Sequence, residues 1–447
     1  MKKVLIIAYY FPPDSKVGGI RPAKFAKYLT EFGWESHILS IKDKYIENPE
    51  YTRLDEVKSI TITRTSILPT AMDILLYLKR LVRPPTTNDN STHLATNQDE
   101  KVLSNNKHGS LLKRSLNSLL ELPDKQVGWF LPAVWAGVKI VRQEKIDIIL
   151  TTSPPITDSL IGLAISYLTG AKLVTDLRDP IPLHTAKAPS HQTWLSNKIE
   201  AWLEKKIYQK SALVISATKK HTSFFINHFG DKYPNKFHTI WNGFDSSDFD
   251  DISAAPKIAN KKFTINYLGS FYASRSPSYF LQALHNLITQ KLIPENEIDI
   301  HFIGNVEQTS EGKTIDLIKK HQLHQTVHIQ GQIPYKEALN KMREADVLLL
   351  IAPDDMNLYA VPAKTFEYMY ANNNILCLSS NSPTSQLIQD VECGKVADVF
   401  SVEEIAECIK QFFLEWKANE LQTDNSKIAK FERKNQTKEL AKLLNTL

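Results

Sequence analysis

The chain has 447 residues, enough for two or three domains each with its own core, and the expected count is two. Hydrophobic residues make up 42% and charged residues 23%, which excludes a disordered or fibrous chain and fits a soluble globular protein. A net charge of +5 and a pI near 8.7 suit a protein that works near anionic lipid or phosphorylated substrates, and are too weak to argue for nucleic acid as a partner.

Lys2 and Lys3 open a nearly continuous apolar run, Lys3 to Tyr10, in the manner of a signal peptide. The run breaks at Phe11-Pro-Pro-Asp14, too early for such a peptide and too short to span a bilayer. It reads as a first parallel strand buried on both faces, and the protein is expected to stay in the cytoplasm. Cys377, Cys393 and Cys408 have no metal spacing and cannot all pair, which suits a reducing compartment.

After this strand, Gly18 and Gly19 lie just before a helix whose apolar positions, Phe25, Leu29 and Phe32, recur at helical spacing. A backbone without side chains there lets a phosphate or sugar approach closely, and a tight turn alone would also demand it. Further strands are expected at Ser36–Ile41, Ser59–Arg64, Ile146–Thr151, Lys172–Leu177 and Ala212–Ser216. Helical stretches separate most of them, which predicts a doubly wound parallel sheet.

An insertion, about 68–123, interrupts this series. Ala71 to Arg83 has an apolar side with Lys79, Arg80 and Arg83 at its end, and the polar stretch Thr86–Asn106 reads as disordered. The basic amphipathic element suits either the inner leaflet of a membrane or a place on its own domain.

Thr151-Thr-Ser-Pro-Pro155 and Asp176-Leu-Arg-Asp-Pro180 each fall at the carboxyl end of a strand, where open α/β sheets bind ligands. Arg178 there is able to pair a phosphate and Asp179 to take a proton from a hydroxyl; a structural Arg–Asp turn pair is the plainer alternative.

A second strand–helix series begins at Phe263–Gly269 and continues with Ile298–Gly304, Val327–Gln330, Asp346–Ala352 and Asn374–Leu378. Arg275, in the turn after Gly269, is either a clamp for a diphosphate or a solvated side chain. Asn357–Ile375 holds the densest signal. Pro362 suits a helix's first turn, so the helix is expected to start near Val361. No Ser, Thr, Asp or Asn stands at Ala360 or Val361 to cap it, which leaves the backbone N–H groups around Val361, Pro362 and Ala363 open to an anion. Lys364 adds a positive charge in the first turn, and Glu367 follows on the same face. The two suit a diphosphate and a sugar hydroxyl pair, or an ordinary helix ion pair.

The stretch Pro362-Ala-Lys-Thr-Phe-Glu-Tyr368 resembles the donor-binding helix of the group-1, or family-4, glycosyltransferases. The Gly18–Gly19 pair, Thr-Ser-Pro-Pro, Asp176-Leu-Arg-Asp-Pro180 and Trp241-Asn-Gly-Phe-Asp245 resemble other segments of that family. The resemblance covers nearly all the chain outside the insertion. It implies an α/β fold of GT-B type, two Rossmann-like domains facing across a cleft.

The expected domains are 1–245, which binds acceptor, a linker at 246–262, and 263–425, which binds the nucleotide sugar. A last helix at 426–447 either returns to the first domain, as the resemblance implies, or stays solvated. The resemblance gives Glu367 to the nucleotide ribose, Gly18 and Gly19 to the donor phosphates, and the reaction a retaining course.

The chain departs from the family at four places. Tyr359 stands where the first of two glutamates is usual, and Ser270 where an arginine follows the glycine. Asn372, Asn373 and Asn374 replace a Gly-x-Pro, and Ile156, Thr157, Asp158 and Ser159 stand where many relatives carry a histidine.

Negative charge builds on the departing diphosphate during glycosyl transfer, and Arg275 and Lys364 meet it without a metal. The expected catalytic set is therefore Arg178, Asp179, Arg275 and Lys364, with no metal and no cofactor. The expected function is transfer of a sugar from a nucleotide-sugar donor to a glycan or polyprenyl-linked acceptor in surface polysaccharide or O-antigen synthesis, with the inner membrane face as a further partner. The alternatives are a sugar-nucleotide epimerase of the same build and a non-catalytic sugar-nucleotide-binding protein.

Overall fold

The computed structural model describes residues 1–70, 72–75, 122–178, 194–233, 235–250, 260–272, 274–353, 358–371, 374–421 and 426–447. The greater part of the expected insertion, and Asp179, lie outside the described residues. The chain forms two compact units: Met1–Ser216 with Phe225–His238 and Leu440–Leu447, and Ala217–Phe224 with Thr239–Glu439.

In chain order the strands and helices up to His238 are β1 (Lys2–Ile7), α1 (Ile20–Leu29), β2 (Trp34–Ile41), β3 (Thr61–Thr65), α2 (Phe130–Glu144), β4 (Ile148–Ser153), α3 (Ile156–Thr169), β5 (Lys172–Leu177), α4 (Trp194–Lys210), β6 (Ser211–Ser216), α5 (Lys219–Phe229) and β7 (Phe237–Thr239). The first sheet has the order β3-β2-β1-β4-β5-β6-β7, with β1 through β6 paired in parallel. Val4 to Ile7 are fully buried because helices cover both faces of the sheet, which is why β1 is an unbroken apolar run rather than an alternating one. The helices α2 and α3 pack on one face, with Ile140, Ile161 and Ile165 against Leu5, Leu39 and Ile149.

The second series is β8 (Phe263–Ser270), α6 (Ser278–Thr289), β9 (Ile298–Asn305), the hairpin β10 (Gln308–Thr309) and β11 (Gly312–Lys313), α7 (Thr314–Lys320), β12 (Val327–Gln330), α8 (Tyr335–Glu344), β13 (Val347–Ile351), α9 (Lys364–Tyr370), β14 (Asn374–Leu378), α10 (Pro383–Val391), β15 (Gly394–Ala397), α11 (Val402–Lys417) and α12 (Arg433–Asn445). Its sheet is parallel throughout, in the order β12-β9-β8-β13-β14-β15. Both sheets therefore reverse direction beside their first strand, between β1 and β4 and between β8 and β13. Such a reversal is where ligands bind in open α/β sheets.

Three features differ from the sequence expectations. The short strands β7, β10, β11 and β15 were not anticipated. Phe244 and Phe249 pack on Tyr370, with ring centroids 4.5 and 4.7 Å away, so the start of the expected linker belongs to the second core. Finally, α9 begins at Lys364, three residues after the expected start. Thr365 and Phe366 donate their N–H groups to the carbonyls of Pro362 and Ala363, which makes the first turn tight, and Val361 is buried in the core beneath it. Val361 is thus not part of an open helix end. Among the described residues no helix is long and apolar enough to cross a membrane.

Candidate functional site

At the reversal point of the second sheet, β8 holds Gly269 one residue before the strand's end, with a φ of +148° that lies outside what a side-chain-bearing residue readily adopts. A Cβ at Gly269 would stand 3.0 Å from the Lys364 Nζ, so the glycine also makes room for that ammonium. Lys364 lies in the first turn of α9, which leads from β13 to β14, and reaches back to β8. Its Nζ donates to the Leu268 carbonyl at 3.1 Å and sits 4.1 Å above the centre of the Tyr267 ring.

Tyr368, one turn on, braces the same residue. Its hydroxyl accepts from the Leu268 N–H at 2.9 Å and donates to the Leu268 carbonyl at 3.3 Å. Enclosure by these groups lowers the Lys364 pKa from its ordinary value to about 7; the charge of Arg275 pushes the same way, and Glu367 opposes it. Two cationic side chains, Lys364 and Arg275, thus stand near one another at this end of the sheet.

The turn after β8 presents Arg275, its N–H bonded to the Tyr272 carbonyl at 3.0 Å and its guanidinium stacked 4.8 Å from the centre of the Tyr272 ring. Glu367 stands on the outer side of α9, and its Oε1 accepts from the Tyr335 hydroxyl at 2.9 Å. The structure thus brings Arg275, Lys364 and Glu367 to one end of the sheet, with Pro362 and Ala363 in the turn before them. Tyr335, at the start of α8, had no sequence signal.

Tyr359 has a packing role. Its carbonyl accepts from Thr218 Oγ1 at 2.5 Å, and its ring lies 5.3 Å from that of Phe224.

At the reversal point of the first sheet, Gly18 and Gly19 form a tight turn leading into α1. A Cβ at Gly18 would meet Arg178 Nη1 at 3.0 Å and the Tyr10 ring at 3.1 Å, so the structure joins two of the expected residues, Gly18 and Arg178. Arg178 is held at the end of β4: its N–H donates to the Ser153 carbonyl at 2.9 Å and its Nη2 to the Pro154 carbonyl. Asp176 of the same motif makes a buried two-pronged pair with Arg21, both contacts at 2.8 Å, which fixes α1 to β5.

Sequence reasoning passed over Asp158 except as the place of a missing histidine. It is the one charged residue in the fourteen of α3, it is fully buried, and its Oδ2 accepts the Tyr9 N–H at 2.9 Å. Among the described residues its Oδ1 has no hydrogen-bond partner. Burial drives its pKa well above the ordinary carboxyl value. The Tyr9 bond opposes that rise, nearby Asp124 adds to it, and Arg178 opposes it. Asp124 in turn accepts from the N–H and hydroxyl of Thr157 at 2.9 and 2.6 Å.

Comparison with known proteins agrees with this geometry. Residues 248–430 match the model of "Glycosyl transferases group 1", and residues 88–248 that of "Glycosyltransferase Family 4". No curated protein matches the chain by sequence. Among solved structures, the sucrose-phosphate synthase of Thermosynechococcus elongatus aligns with a TM-score of 0.63 at 12% identity over 100% of this chain and 99% of its own. A glycosyltransferase of Rickettsia africae ESF-5 aligns at 0.58 and 13%, over 100% and 98%. The UDP-GlcNAc 2-epimerase of Methanocaldococcus jannaschii aligns at 0.51 and 10%, over 100% of both. At these identities the likeness is one of fold.

Proposed function

The chain belongs to the group-1, family-4 glycosyltransferases of GT-B fold, and on that premise we propose that it moves a sugar from a nucleotide-sugar donor to a lipid-linked glycan, in the synthesis of a surface polysaccharide at the cytoplasmic face of a membrane. The observation that carries the donor half is the seating of Lys364 against Leu268 and Tyr267 with Arg275 close by. As the bond from the sugar's anomeric carbon to the diphosphate oxygen breaks, charge collects on the diphosphate, and these two cations meet it without a metal ion. Diphosphate binding returns the proton that enclosure has loosened from Lys364. Glu367, steadied by Tyr335, takes the ribose hydroxyls.

The course we propose is retaining. The acceptor hydroxyl attacks the anomeric carbon on the side the diphosphate leaves, and its proton passes to a diphosphate oxygen. In the first domain, the Gly18–Gly19 turn packs closely on Tyr10 and Arg178, and Arg178, held by the Pro154 carbonyl, is the fixed cation we assign to a phosphate there. Asp179, expected to share this work, lies outside the described residues.

The test is a panel of UDP-, GDP- and ADP-sugars in a thermal-shift assay, followed by donor turnover with membrane extract as acceptor source. One donor is expected to stabilise the protein, and Glu367→Ala to remove that shift. A shift unchanged by the substitution contradicts the ribose role. Interconversion of the free sugar nucleotide, with no transfer, makes the protein an epimerase instead.

A further inference from the structure

On the first unit, α2, α3 and α4 pack side by side in one layer. The outer face of such a layer is ordinarily polar. Here it is not. From Ile156 to Thr169, α3 carries no charge except Asp158, which is buried, and it presents Tyr167 and Leu168 to solvent at 63% and 56% exposure.

The flanking helices add Leu131 and Trp135 on α2 and Trp194 and Trp202 on α4. The chain has seven tryptophans, and the three that stand 57% exposed or more are all on this layer. Chance scatter of surface aromatics would not gather them so.

Each of these tryptophans has a lysine four residues on, folded over its ring. Lys139 lies 5.8 Å from the Trp135 ring centre, Lys198 3.9 Å from that of Trp194, and Lys206 5.9 Å from that of Trp202. A fourth pair crosses between helices, with Lys210 of α4 4.9 Å from the Tyr167 ring. Arg142 and Lys205 add exposed positive charge.

The acids of α2 and α4 do little to cancel it. Glu144 is paired with Lys3 at 2.8 Å, and Glu204 is buried against the Tyr208 hydroxyl. An aromatic ring with a cation at its edge is the side-chain chemistry of the membrane–water boundary, where the ring sits among the acyl-chain ends and the ammonium among the lipid phosphates.

We infer that the outer face of α2, α3 and α4 is a docking surface for an anionic lipid bilayer, with Trp135, Trp194 and Trp202 as anchors and Lys139, Lys198 and Lys206 as headgroup contacts. It deepens the proposed lipid-linked acceptor and rests on that reading for its purpose: a protein held on the membrane by its acceptor domain meets its acceptor in the plane of the bilayer. The surface is independent of the donor residues, so the two readings can fail separately.

The full chain would be floated with vesicles of phosphatidylcholine alone and of phosphatidylcholine with one quarter phosphatidylglycerol. Wild type is expected to bind the anionic vesicles at least tenfold more tightly than the neutral ones, and to weaken as salt rises. Trp135→Ser/Trp194→Ser/Trp202→Ser is expected to lose binding more than tenfold. Lys139→Gln/Lys198→Gln/Lys206→Gln is expected to lose the preference for anionic lipid while still folding, so that it decides the matter if the tryptophan variant does not fold.

Both variants should keep the donor-induced thermal shift of wild type, which reads the catalytic proposal separately. The inference is overturned if wild type does not bind vesicles, or if both variants bind as wild type does. It is also overturned if wild type proves to be a dimer that the tryptophan substitutions split, since the face would then meet protein.

Discussion

The two sheets solve one problem with opposite charges. In each, the helix that follows the strand across the reversal point sends a titratable side chain back to the end of the first strand. In the first unit that side chain is Asp158, reaching from α3 to the Tyr9 N–H; in the second it is Lys364, reaching from α9 to the Leu268 carbonyl. Burial works against the charged form of both, so the acid holds its proton and the base tends to lose its own. The difference lies in what each is open to. Asp158 is fully buried and its one hydrogen bond is to backbone, whereas the Lys364 ammonium, also enclosed, belongs to a half-exposed residue and has the charge of Arg275 close by. The first is a brace, and the second is the group we propose for binding the donor.

The largest expected effect comes from removing the binding group. Lys364→Met should lower kcat/KM for transfer by about 10²–10³, the loss typical of one well-placed cation or donor at a developing charge. It should not lower the unfolding midpoint, because Tyr368 still satisfies the Leu268 carbonyl. A variant that loses activity by unfolding would make Lys364 a brace like Asp158 and remove the contrast.

Removing the brace should instead cost stability. Asp158→Ala leaves the Tyr9 N–H buried without an acceptor and is expected to cost about 2 kcal/mol in denaturant unfolding. Asp158→Asn keeps an acceptor oxygen without a charge, and should cost about 1 kcal/mol or less. Equal losses for the two would show that the carboxylate charge matters after all.

The same pair should move stability in opposite directions with pH. Asp158 has its folded pKa raised, so its contribution is full below about pH 4, its unfolded value, and is lost as pH rises through the folded value. Lys364 has its pKa lowered to about 7, so its contribution is full above the ordinary lysine value and is lost as pH falls towards 7. Stability curves for Asp158→Asn and Lys364→Met, each subtracted from wild type, are the measurement. Slopes of the same sign in the two windows would contradict the assignment.

A smaller effect is expected at Gly18. A methyl there presses on the far end of Arg178 and on the Tyr10 ring, each near 3 Å, so Gly18→Ala should cost about 1 kcal/mol. An unchanged midpoint would mean that Arg178 moves freely.

Much of this frame was legible in the sequence, because a strand buried on both faces must be an unbroken apolar run. Val4–Ile7 and Val347–Ile351 are such runs; Lys172–Leu177, Val327–Gln330 and Asn374–Leu378 lie at the expected bounds although Val327–Gln330 alternates, and most other strands fall within two residues. The short strands Phe237–Thr239 and Gly394–Ala397 were not legible, since three or four residues carry too little pattern to separate them from loop. Pro362 marked the approach to α9 but misplaced its start, because a proline fits a tight preceding turn as well as a helix's first position. Arg275, Lys364 and Glu367 stood out by spacing and family resemblance. Asp158 left one faint signal, a lone acid in an otherwise uncharged helix, and Tyr335 left none, since its value comes from a neighbour thirty-two residues away in sequence.

The central claim is that a nucleotide sugar docks on Lys364 and returns its proton. The most direct measurement is titration calorimetry of the preferred nucleotide sugar at pH 8, in two buffers of different ionisation enthalpy. A sugar diphosphate has no proton of its own to exchange there, so wild type should take up close to one proton per donor bound, and Lys364→Met none. Binding with no proton uptake by wild type, or with the same uptake by the variant, would contradict the account.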